Sequence, residues 1–178
     1  FDLELDPAFR SGLPRDHEIV RSMEKVDQLF SGSDIIIIAV ESDSLFKDST
    51  LIKLSNFQES MEEIDLISRV TSIFNQKHIV PDKNGFDIEP LFEEIPTDSA
   101  GRAQFRERLK LSGMIGNLIS EDLRTLCFVG QINSSFEYDE FDFREKIHEL
   151  VDRYDETDKF YVSSLPITRA TVIEYMQR

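Results

Sequence analysis

Asp34-Ile35-Ile36-Ile37-Ile38-Ala39-Val40-Glu41 contains the longest apolar run in the chain, and its reading decides the fold. The run is β-branched at all but one of its apolar positions and has the length of a strand, far short of the roughly 18 residues that cross a bilayer. An uninterrupted run, in place of polar alternation, predicts a strand covered on both faces. Upstream, residues 1–12 read as an extended lead-in, and Pro14 and Asp16 signal a helix start. From His17 to Phe30, Ile19, Met23, Val26 and Phe30 recur at helical spacing, and Ser31-Gly32-Ser33 ends that helix.

Downstream the same logic continues. Ser49 is placed to cap a helix whose stripe is Leu51, Leu54, Phe57, Met61 and Ile64, and Leu66 to Asn75 reads as a second strand. Asp82-Lys83-Asn84-Gly85 is a turn signal between His78-Ile79-Val80 and Phe86-Asp87-Ile88, so a hairpin is expected there. Ser99 opens a helix carrying Phe105 and Leu109, and Ser112 to Asp122 is a loop with Gly113 and Gly116. Leu123 to Asn133 is a third strand, with Leu126, Phe128 and Ile132 on one face and Thr125, Cys127 and Val129 on the other. Asp139 to Asp142 suits a helix start, because negative charge is favoured at the positive end of the helix dipole. Phe143, Ile147, Leu150, Val151 and Tyr154 line that helix, Lys159 to Ser163 is a fourth strand, and Pro166 sits at the start of a last helix.

Strand–helix–strand occurs twice, at 34–75 and 123–163, with a hairpin and a helix inserted between. The expected fold is α+β: a ferredoxin-like split βαβ repeat, with a four-stranded sheet and helices on one face. The expected organisation is a lead-in and helix over 1–33, the repeat over 34–165, and a final helix over 166–178.

Charge narrows the function. The 178 residues include 20 Lys and Arg against 35 Asp and Glu, for a net charge of −15. Nucleic-acid affinity comes from cations neutralising phosphates, so no nucleic-acid partner is expected, and the same argument disfavours an anionic lipid surface. The 14 Phe residues give a globular composition, not that of an acidic disordered tail. A single cysteine, Cys127, excludes an intrachain disulfide framework and any multi-cysteine metal site. The chain begins at Phe1, not Met, so it is expected to be part of a longer polypeptide.

The chemistry-bearing residues form no catalytic set. His17, His78 and His148 fall in three different elements, without the close spacing of metal ligands. Cys127 lies mid-strand, where a thiol behaves as a small hydrophobe. Glu137-Tyr138-Asp139-Glu140-Phe141-Asp142 and Asp155-Glu156-Thr157-Asp158 are the acidic clusters, and they read as solvated rims. Asp82-x-Asn84-Gly85 begins like a calcium loop and then departs from it. Neither a phosphate-binding glycine loop nor a nucleophile motif is found, so no catalytic residue, metal or cofactor is expected. The unusual stretch is Ser112 to Ser120, whose Met114, Ile115, Leu118 and Ile119 either cover the open end of the core or form an apolar contact surface.

Four stretches together resemble the first extracytoplasmic domain of RND-superfamily exporters of the MMPL and Patched-like kind. They are Phe1-Asp2-Leu3-Glu4 with Gly12-Leu13-Pro14-Arg15-Asp16; Val26-x-x-x-Phe30-Ser-Gly-Ser-Asp34 running into the strand to Val40; Ile67-Ser-Arg-Val70-Thr-Ser72-Ile; and Asn117-Leu118-Ile119-Ser120-Glu121-Asp122 before the strand to Ile132. Ser164-Leu165-Pro166 stands where that family usually has Gly-x-Pro, with Ser164 replacing the glycine.

The resemblance implies a porter-like loop between the first two membrane helices of a proton-driven exporter of hydrophobic or lipid-like substrates, outside the cytoplasm. Its partners would be the rest of that transporter, including a second porter-like domain. The family's proton-relay carboxylates lie in membrane helices, so no acid here inherits that role. Met114, Ile115, Leu118 and Ile119 would be the substrate-path candidates. Two other readings stand beside it. One is a stand-alone ferredoxin-like regulatory module binding a small molecule. The other is an enzyme using Glu137 to Asp142 with a divalent metal.

Overall fold

The computed structural model describes residues 35–82, 85–91, 95–96, 98–133 and 138–177. The lead-in and the helix expected over His17 to Phe30 lie outside the described residues. In chain order the elements are β1 (Ile35–Glu41), α1 (Asp48–Glu62), β2 (Ile67–Thr71), β3 (Lys77–Asp82), β4 (Gly85–Pro90), α2 (Ser99–Ser112), β5 (Thr125–Ile132), α3 (Glu140–Asp152), β6 (Lys159–Ser164) and α4 (Leu165–Met176). Four strands form one sheet in the order β2-β5-β1-β6, with every neighbouring pair antiparallel. β1 and β2 therefore run parallel with β5 between them, and β5 and β6 run parallel with β1 between them. That interleaving of two strand–helix–strand units is the ferredoxin-like split βαβ arrangement in an α+β fold. β3 and β4 form the expected hairpin as a separate two-stranded sheet.

Register shows which face holds the core. Ile36, Ile38 and Val40 of β1 sit opposite Gly130, Phe128 and Leu126 of β5 and Ser164, Val162 and Phe160 of β6. Against this face α1 brings Leu54, Phe57 and Met61, and α3 brings Phe143, Ile147 and Leu150, all buried in one cluster. Phe57 is central, with its ring centroid 5.1 Å from Phe128, 5.1 Å from Phe160 and 5.3 Å from Tyr154.

The opposite face of β1 differs from the sequence expectation. Ile37 and Ala39 are only half-buried and Ile35 is 45% exposed. Both crossover helices contribute to the same core, so an isoleucine run that reads as covered on both sides is fully covered on one.

Local chemistry sets the element boundaries. The second strand stops at Thr71 because Ser72 starts a 3₁₀ turn over Ile73–Asn75. Its hydroxyl accepts from the Phe74 N–H (3.1 Å) while the Asn75 side chain accepts from the Ser72 N–H (3.1 Å). α1 begins one residue before Ser49, and Lys47 at its N-cap makes no side-chain cap bond. Asp98 caps α2 by accepting from the Gly101 N–H at 2.6 Å, and Asp139 caps α3 by accepting from the Phe141 N–H at 2.7 Å.

The two ends of the repeat emerge together. Ile36 pairs with Ser164, so the strand that opens the unit and the strand that closes it share one end of the sheet. The hairpin, α2 and the loop after it connect the far end of β2 to the start of β5, at the opposite end, where Val40 pairs with Leu126. Among the described residues no helix is long and apolar enough to cross a membrane.

Candidate functional site

α2 stops at Gly113, whose φ of +71° is a left-handed conformation that L side chains rarely adopt. The chain then folds on itself. The Met114 carbonyl accepts from the Leu118 N–H at 2.9 Å, and the Ile119 carbonyl from the Gly116 N–H at 2.7 Å. Next the loop joins the sheet. The Leu118 carbonyl accepts from the Cys127 N–H (2.8 Å) and the Thr125 carbonyl from the Ser120 N–H (3.0 Å), so residues 118–120 continue the edge of β5 beyond the end of β2. The Ser-x-Asp step locks this in place. The Ser120 hydroxyl donates to the Asp122 carboxylate at 2.5 Å and accepts from the Thr125 N–H at 2.9 Å. The Ser120 hydroxyl bond also holds the Asp122 carboxyl below the usual carboxylate range, helped by the Arg124 N–H.

The four apolar candidates are thus brought together by one strapped loop, and they divide by burial. Ile119 is 1% exposed and belongs to the core. Met114 and Leu118 are half-buried and pack against that core, and Ile115 is half-buried. Their side chains offer apolar contact only.

Several of the acidic groups have structural partners. Within the first acidic cluster Asp139 caps α3, Glu140 accepts from the Arg169 Nε at 2.8 Å, and Asp142 pairs with Lys146 at 2.8 Å. Glu137 lies outside the described residues. In the second cluster Asp158, with its side chain 5% exposed, pairs with Lys53 of α1. Burial pushes the Asp158 carboxyl up. Hydrogen bonds from Lys53 and Ser42, with the Lys53 charge, outweigh this and hold it below the ordinary value. Burial pushes the Cys127 thiol up, which suits a small hydrophobe better than a nucleophile. His78 sits on β3 and His148 on α3, while His17 lies outside the described residues. Among the described residues no three His, Cys, Asp or Glu side chains gather as a metal site.

Two further surfaces have only a faint signal in the sequence. A cleft of about 750 Å³ opens between α3 and α4, lined by the apolar side chains of Val162, Ile167 and Val172 and by Arg144, Glu145 and His148. Its sequence signal is α4 itself, in which apolar residues point all round: Leu165, Val172, Tyr175 and Met176 are all exposed. The hairpin presents Ile79, Phe86 and Ile88 on one face, each more than half exposed. Alternation in two short strands carries that signal, but periodicity alone does not say which face is left open. Compared with protein-family models and with curated proteins, the chain matches none.

Proposed function

We propose that this chain is the extracytoplasmic, porter-like domain of a proton-driven exporter of the RND kind. It would guide hydrophobic or lipid-like cargo without reacting with it. The observation that carries the reading is the shared end of the sheet. The βαβ repeat opens and closes on adjacent antiparallel strands at Ile36 and Ser164, an arrangement that suits a loop returning to the same membrane. The four family-like sequence stretches support it, and so does an apolar loop at the far end of the sheet, bearing Met114 and Leu118.

The test is the membrane topology of the full-length product. About 20 apolar residues are expected upstream of Phe1 and again beyond Arg178. A tagged product should sediment with membranes, and protease added outside the cytoplasmic compartment should cut within this domain. A product that stays in the soluble fraction would overturn the proposal.

One observation favours a second reading, the stand-alone regulatory module. The cleft between α3 and α4 has the volume of a small-ligand site. The same fractionation separates the two, because the module predicts a soluble product.

A further inference from the structure

The cleft between α3 and α4 has two unlike walls. α4 supplies Ile167 and Val172, with Val162 of β6 beside them. The two hydroxyls on this wall are spent inside the helix: Thr168 Oγ1 donates to the Ser164 carbonyl and Thr171 Oγ1 to the Ile167 carbonyl, both at 2.8 Å. The two charges of α4 are spent as well, because Arg169 binds Glu140 and Glu174 binds Arg144, both on α3. This wall is therefore apolar and uncharged, in a chain whose net charge is −15.

α3 supplies the other wall, with Glu145, Glu149 and Asp152. All three are exposed, and none forms an ion pair among the described residues. Arg144, in the same lining, is held by Glu174 at 2.9 Å. Lys146 is held by Asp142 at 2.8 Å, and Glu149 acts on it only as a more distant charge. From Glu145 to Asp152 the helix rises about 10 Å, so the carboxylates are strung along the cleft. They do not gather as a metal site.

We infer that this cleft binds an organic cation with an apolar body, an alkyl- or arylamine. The ammonium group lies along Glu145, Glu149 and Asp152, and its hydrocarbon part covers Val162, Ile167 and Val172. Charge complementarity selects this ligand class. An anion would meet three unpaired carboxylates, and a metal ion would find no clustered ligands. A volume of about 750 Å³ suits a small molecule. The assignment deepens the small-ligand reading of the cleft, and it applies to a soluble or a membrane-bound product alike.

The test is titration of the full 178-residue chain with octylamine, octanoate and octanol, followed by amide NMR. Octylamine should shift the amides of Val162, Ile167 and Val172 with an affinity about tenfold above that of octanoate or octanol. Glu145→Gln with Glu149→Gln should weaken octylamine binding about tenfold and leave octanol binding unchanged. Both positions are exposed, so the fold should stand, which far-UV circular dichroism checks. Glu59→Gln with Glu63→Gln removes the same charge from exposed positions on and just after α1, and should leave octylamine binding at the wild-type value. An equal loss in both pairs would overturn the inference, since the attraction would then belong to the net charge. Equal affinity for the three probes would overturn it while leaving the cleft a small-ligand site. Binding of a Lys-rich amphipathic peptide in the cleft, with none of octylamine, would overturn it in favour of a protein partner.

Discussion

At Gly130 of β5 a hydrogen atom stands where any other residue carries a carbon. A Cβ built there would lie 2.6 Å from the Met61 Cε and 2.7 Å from the Ile36 Cγ2. Met61 can swing away, but the branched Ile36 on the neighbouring strand has less freedom. Gly130→Ala should therefore cost about 1–3 kcal/mol, read as a lower urea midpoint at unchanged slope. An unchanged midpoint would show that the core yields at no cost. Residues of this kind are illegible in sequence, because the atoms that make Gly130 necessary come from positions 36 and 61. Ser120 and Asp122 are different. Their partners lie within five residues, so the local motif is legible and the hydrogen bonds give its reason.

Between elements, the tie with the clearest pH dependence joins Lys53 of α1 to Asp158 just before β6. Lys53 also donates to the Tyr154 carbonyl at 3.3 Å and to the Thr157 hydroxyl at 3.1 Å, so one ammonium group holds the turn after α3. Asp158 is depressed in the folded state. Its stabilisation is complete above the unfolded value near 4 and fades as pH falls through the lower folded value. Asp158→Asn should cost about 1–3 kcal/mol at pH 7. The gap between wild type and variant, followed by denaturant unfolding from pH 7 to 2, should narrow below pH 4. A constant gap would mean that the charge contributes nothing. The sequence shows Asp155-Glu156-Thr157-Asp158 as one acidic cluster. Burial sorts it, leaving Asp155 and Glu156 in solvent and drawing Asp158 onto a lysine a hundred residues earlier.

Across the whole molecule the strand and helix pattern is largely readable, since apolar spacing reports period directly. The interleaved sheet order follows from two strand–helix–strand units packing side by side. What spacing does not give is how far the helix-free side of the sheet stays open, hence the half-open face of β1 and the cleft beside α4. Charge acts at this scale too. A net −15 sets the folded state against itself, and among the described residues most carboxylates are exposed to solvent. Raising NaCl from 20 to 500 mM should raise Tm by a few degrees through screening. A Tm that falls with salt would mean that attraction within the ion pairs outweighs the repulsion among the excess carboxylates.

Adjacent placement of β1 and β6 has a mechanical consequence. Tension applied where Ile35 begins and Ser164 ends would open the ladder from the Ile36–Ser164 pair toward Glu41–Lys159, loading its hydrogen bonds one after another instead of all at once. Pulled in that direction the sheet unzips at low force, so the unit transmits a gentle reorientation well and a steady pull poorly.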